Sequence, residues 1–249
     1  QPEFRHTHPG SRHHVVIRPA TTAFLAGAIP IAAAHVAYLI NLTVGTGLDP
    51  QYICMPHTDG CVSIRRAARS GPGLHLFRAL VLPSAVLLLF SWEYVREWLG
   101  DLEICSRRRA WLITGLGYIG AIFLIFYATW LGTEGDWYRW LRRYGVIFYF
   151  SGTAMAQLLL VWTLWPKRRQ LAAGRLLTPI TVLTALVSVQ WALGVFSALK
   201  RLIFENPETI DRIENIIEWC YALPMATCFI VIAWMFRQTD FRLKPEISV

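Results

Sequence analysis

Charge is scarce in this chain of 249 residues: Asp, Glu, Lys and Arg together make up 16%, against roughly 25% in an average soluble domain. That shortage excludes a water-facing surface over most of the chain. Cysteine is scarce too, and five are too few to staple a disulfide scaffold. No internal repeat, low-complexity linker or shift in composition marks a second domain. What is abundant is apolar. Hydrophobic residues make up 55% and gather in six runs, at about 21–44, 74–98, 110–131, 143–166, 176–199 and 214–236. Each is near the roughly 20 residues with which a helix crosses about 30 Å of hydrocarbon. Lipid offers the backbone no hydrogen bonds, so such runs must be helices rather than strands. The sequence therefore predicts an all-α polytopic membrane protein. A six-helix transmembrane domain over 21–236 lies between a flexible tail, 1–20, and a second tail, 237–249.

The net charge is +8. In a soluble protein that excess would suggest nucleic acid, but no nucleic-acid motif accompanies it, and anionic head groups are the better partner. Six spans place both termini on one side. That side holds 14 of the 24 Lys and Arg, with the densest clusters, Arg107–Arg109 and Lys167–Arg169, in short loops. The positive-inside rule makes both termini cytoplasmic. No cleavable signal peptide is recognisable; the opening residues Gln1–Phe4, which lack an initiator Met, are given no meaning. Four histidines follow, at 6, 8, 13 and 14, and read as part of a disordered tail rather than a metal site.

The longest connection, 45–73, falls on the exoplasmic face, with turns at Asp49-Pro50 and Asp59-Gly60. Cys54 and Cys61 bracket part of it, at a separation that suits either a disulfide or two free thiols. Residues 61–69 set Val62, Ile64, Ala67 and Ala68 between Arg65, Arg66 and Arg69, a pattern for a short interfacial helix whose arginines reach for phosphates. Gly71-Pro72-Gly73 then turns the chain into the second span. Trp137, Tyr138 and Trp140 read as an interfacial aromatic belt. Cys220 and Cys228 read as packing residues of the last span.

Gly115-Leu-Gly117-Tyr-Ile-Gly120 matches the dinucleotide-binding fingerprint, which works only between a strand and a helix. Inside an apolar helix its glycines instead let a neighbouring helix approach. Asn41-Leu-Thr43 is a formal glycosylation sequon at the membrane lip, too close for convenient transfer. His57 and Asp59, with His35 in the first span and Ser63 beyond, form the one candidate catalytic set. A zinc site needs several converging ligands, and no HxxxH pattern or second intramembrane aspartate supplies them, so no metal or cofactor is expected. Arg78 and Glu218 each lie just inside an apolar run, where an ionised group needs a partner. Either they form a structural salt bridge, or Arg78 binds a lipid phosphate while Glu218 positions its guanidinium. Tyr127, Gln157, Gln190 and Asn215 read as interhelical hydrogen-bonding residues.

The stretch SIRRAARSGPGLHLFR resembles the first-loop signature of the FRAG/DRAM/SFK family of six-span membrane proteins, which is related to the remodellers of GPI-anchor lipids and to the CWH-type N-terminal domain. GLGYIG in the third span, RRYGVIFYFSG at the fourth, IENIIEWCYALP at the last and the closing Thr239-Asp240-Phe241 are similar in kind. Tyr144 stands where many members have a histidine, and the last span lacks the histidine of the GPI remodellers. The short chain looks like a bacterial member, in the inner membrane. The resemblance implies recognition, remodelling or organisation of a phospholipid or glycolipid in the outer leaflet. The head group is expected near Arg65, Arg66, Arg69 and Arg78, with Glu218 as counter-charge. Two alternatives stand beside it. One is a lipid hydrolase or acyl transferase using His35, His57, Asp59 or Ser63. The other is a non-catalytic scaffold for a partner membrane protein or a second copy.

Overall fold

The computed structural model describes residues 18–44, 53–171 and 175–243. The four tail histidines and Asp49-Pro50 lie outside them. Six long helices are each apolar enough to cross a membrane: α1 (Pro19–Thr43), α4 (Gly71–Asp101), α5 (Arg107–Trp130), α6 (Asp136–Leu164), α7 (Leu177–Ile203) and α8 (Pro207–Gln238). Two single turns, α2 (Pro56–Asp59) and α3 (Ile64–Ala67), lie between α1 and α4. No strand occurs among the described residues. The fold is the all-α bundle of six spans that a multi-pass membrane protein requires.

Several helices outrun their apolar stretches by whole turns. α6 starts at Asp136 rather than near 143, and α8 at Pro207 rather than near 214. Hydropathy marks only what lipid demands, whereas the helical ladder runs on until something caps it. For α8 the cap is Asn206, whose side chain accepts from the Glu208 N–H at 2.8 Å, with Pro207 in the first turn where its missing N–H costs nothing. α1 and α8 likewise reach into the segments assigned to tails, 1–20 and 237–249.

Around the bundle the helices run α6, α5, α4, α1, α8, α7, and the ring closes loosely where α7 returns to α6. Close approach elsewhere depends on small residues. A Cβ on Gly117 would stand 2.4 Å from the Trp92 ring, and one on Gly120 2.4 Å from Thr153 Oγ1. The dinucleotide-like run is thus the seam along which α5 meets α4 and α6. Trp92 and Trp98, both fully buried, meet Phe229 and Phe236 edge-on, at ring distances of 5.3 and 5.7 Å. At the end of the bundle where α1 begins and α8 ends, the Trp98 indole donates to Thr239 Oγ1 at 3.0 Å and Lys167 Nζ to the Ile104 carbonyl at 2.6 Å.

Residues 53–70 form a lid over the opposite end. Its predicted helix over 61–69 is one turn, Ile64–Ala67. Val62, Ile64, Ala67 and Ala68 are all buried, with α3 packed on α1 and α8. The lid's apolar face therefore covers the bundle. Cys54 and Cys61 are joined in a disulfide, with Cα atoms 6.4 Å apart.

Candidate lipid-binding site beneath the lid

A lid of two single turns leaves most of its carbonyls without helical partners, and buried carbonyls must find donors. Polar side chains of α1 and α8 supply them. Asn41, itself 1% exposed, donates to the carbonyls of Ala67 (2.8 Å) and Ser70 (2.9 Å) and accepts from the Gly73 N–H (3.0 Å). The Tyr38 hydroxyl donates to the Cys54 carbonyl at 2.8 Å. From α8, Arg212 Nε donates to Asp59 O (3.1 Å), Asn215 to Gly60 O (2.8 Å) and Trp219 Nε1 to Val62 O (2.9 Å). Gly60 allows the closest approach: its φ is +63°, and a Cβ there would lie 2.2 Å from the Arg212 carbonyl. The Asn41 carboxamide is consumed in this clamp, so the sequon has no free acceptor.

Of the candidate catalytic set, the fold brings two members together. The rings of His35 and His57 stack at 5.3 Å and 14°, and both pack against Trp219, at 5.1 and 5.3 Å. His35 Nδ1 donates to the Ile31 carbonyl at 2.7 Å. His57 Nε2 is buried without a partner. Burial, and next the neighbouring His35, push the His57 pKa below the usual imidazole value. Asp59 and Ser63 are spent on local caps. Asp59 accepts from the Met55 N–H at 2.9 Å and the Thr58 hydroxyl at 3.2 Å, and Ser63 from the Arg66 N–H at 3.2 Å. No group of three or more His, Cys, Asp or Glu side chains placed to hold a metal ion occurs among the described residues.

The pairing of Arg78 with Glu218 does not form. Glu218 Oε1 accepts from the backbone N–H of Arg65 at 3.2 Å, beneath α3. Arg78 reaches the other way, donating to the Leu131 carbonyl and to Thr133 Oγ1 (3.4 Å). These bonds tie α4 to the end of α5. The ring order of helices sets the two on different partners, and Arg78 Nε is buried without one. Arg66 stands in an ion pair with Asp211 at 3.7 Å.

Arg65 and Arg69 instead meet three arginines of α6. Arg65, Arg69, Arg139, Arg142 and Arg143 bound a depression of about 380 Å³. Arg142 is 7% exposed and donates through Nη1 to the carbonyls of Trp130 (3.1 Å) and Thr133. In the sequence the aromatic residues of this segment, Trp137, Tyr138 and Trp140, stand out over its charge. The signal was present: in Arg139-Trp-Leu-Arg142-Arg143 the three cations fall at i, i+3 and i+4, on one helical face.

Beside the depression, at the loose closure of the ring, a cleft of about 440 Å³ is lined by α6 (Val146, Ile147, Phe150), α7 (Gly194, Ser197) and α8 (Glu214, Glu218, Tyr221). Arg65 borders both spaces. The cleft in turn shares Val146, Phe150 and Glu218 with an interior cavity of about 70 Å³, whose walls include Pro30, His35, Tyr127, Tyr149 and Trp219. A cationic mouth, an apolar side opening and an inner slot thus adjoin one another. At the polar edge of the cleft Glu214 pairs with Lys200, which also donates to the Ser197 carbonyl at 3.0 Å.

No family model, no curated protein and no solved structure matches this chain.

Proposed function

We propose that this protein binds a phosphate-bearing lipid in the exoplasmic leaflet, holding the head group in the arginine depression and a tail in the cleft beside it, and so recognises, organises or remodels that lipid. The carrying observation is the shared border at Arg65 between a five-arginine depression and a cleft among α6, α7 and α8. Guanidinium forks match phosphate oxygens in charge and in geometry. The excess of Lys and Arg beside the termini supports an orientation with the lid outside and both termini in the cytoplasm of a bacterial inner membrane. The resemblance to the FRAG/DRAM/SFK family supports the same assignment to lipid handling. Native mass spectrometry of the purified protein tests it. Phospholipid retained by the wild type should be lost from an Arg69→Gln/Arg143→Gln double variant that keeps its thermal stability. An unchanged set of bound lipids would overturn the proposal.

A hydrolase or transferase remains as a second reading on one observation: His35 lines the same cavity as Glu218. Lipid turnover that is lost in His35→Gln would favour it.

A further inference from the structure

We infer that the depression takes a phosphoryl head carrying more than one negative charge, a phosphate monoester or a diphosphate, rather than the phosphodiester of an ordinary membrane phospholipid. The inference rests on the lipid-binding reading above and names its ligand class.

Charge is the first ground. Five guanidinium groups bound the depression, and among the described residues no carboxylate lines it. Acids stand at its margins: Asp136 pairs with the exposed Arg139 at 3.3 Å, Glu134 lines the neighbouring hollow with Arg69 and Arg142, and Glu218, which accepts from the Arg65 N–H, lines the adjoining cleft. A phosphodiester carries one charge and leaves most of the five cations facing one another. A monoester carries up to two charges and a diphosphate ester up to three.

Oxygen count is the second. Each guanidinium presents a planar fork that engages two acceptor oxygens. A phosphodiester has two non-bridging oxygens and satisfies one or two forks. A monoester has three, and a diphosphate ester has five. The site is also partly preorganised. Arg142 is buried and held by the Trp130 and Thr133 carbonyls, which orient its guanidinium but leave its charge uncompensated. About 380 Å³ accommodates either head, and the adjoining cleft, walled by Val146, Ile147, Phe150 and Ile217, gives an attached tail a way out to the side.

The same phosphoryl chemistry occurs in soluble anions, so the test separates the two sources. The full chain in detergent micelles is titrated with phosphatidic acid, with phosphatidylglycerol of the same acyl chains, and with inorganic pyrophosphate. Phosphatidic acid should bind at least ten-fold more tightly than phosphatidylglycerol, and pyrophosphate should compete only at concentrations ten-fold or more above those of the lipid. In Arg69→Gln/Arg143→Gln the preference between the two lipids should fall below three-fold. Equal binding of both lipids by the wild type would overturn the inference and leave the lipid-binding reading standing. Binding of neither lipid would overturn both. Pyrophosphate that binds as tightly as phosphatidic acid would show a site for a soluble anion and overturn the lipid source. The wild-type comparison decides the matter even if the variant fails to fold.

Discussion

Trp219 of α8 donates its indole N–H to the carbonyl of Val62 in the lid, at 2.9 Å, and both residues are buried. The bond joins residues 157 positions apart, so it reports directly on whether the lid is docked. In Trp219→Phe the ring packing is largely kept while the Val62 carbonyl is left without its donor. An orphaned buried carbonyl costs about 1–3 kcal/mol. The thermal midpoint of the purified protein should fall accordingly, and protease should reach the lid more readily.

Asn41 should be less replaceable still. Asn41→Ala strands two carbonyls and the Gly73 N–H together, and a Cβ on Gly73 would already stand 2.5 Å from the Ala37 carbonyl, so the lid cannot settle inward to compensate. A loss of at least 2 kcal/mol, on the order of one to two unmet buried groups, is expected. Asn41→Asp should be no better, because it sets a carboxylate against the Ala67 and Ser70 carbonyls. Thermal unfolding followed by fluorescence checks both. Expressed in a glycosylating host, the wild type should show no endoglycosidase-sensitive mass at Asn41.

His57 should make the docked lid sensitive to acid. Its folded pKa lies below the usual value of 6.5 because burial, and next the stacked His35, disfavour its charged form. The unfolded chain therefore binds a proton at a higher pH than the folded one, and stability rises with pH through that window. Stability should be full above about 6.5, decline as the pH falls from 6.5 towards the lowered folded value, and level off below it. His57→Gln should flatten the profile between pH 7.5 and 5. A profile unchanged by that substitution would show that other groups govern the acid response.

The Cys54–Cys61 bridge closes a short loop, with a sequence separation of seven. Chain entropy alone assigns a closure of that size about 2.5 kcal/mol. Cys54→Ser/Cys61→Ser should therefore lower the thermal midpoint, and reductant should lower that of the wild type by a similar amount while leaving the double variant unmoved.

Arg78 and Arg69 should separate structure from binding. Arg78 holds the Leu131 carbonyl and Thr133, so Arg78→Met should destabilise the protein by roughly 1–3 kcal/mol with little change in which lipids it retains. Exposed Arg69 should behave conversely, with Arg69→Gln within about 0.5 kcal/mol of wild type in stability but weaker in lipid retention. Paired unfolding curves and lipid mass spectra on the two variants distinguish these roles.

Six spans, their approximate limits, the packing use of Gly117 and Gly120 and the interhelical bond of Gln157, which donates to the Met225 carbonyl, were legible in the sequence. Asn215, by contrast, bonds to the lid at Gly60 rather than to a helix. Lipid imposes its demand on each residue singly, so hydropathy along a line is enough to read it, and small residues in an apolar run have little use except close packing. Partnerships among the polar side chains belonged to the tertiary structure alone. That Glu218 accepts from the Arg65 backbone rather than from Arg78, that His35 stacks on His57 while Asp59 and Ser63 turn to local caps, and that Arg65 and Arg69 face three arginines of α6 all depend on the order of helices around the ring and on each helix's rotation. A few isolated charges carry no periodicity from which that rotation can be read. It is set by how the apolar faces pack, and only then do the charges find their partners.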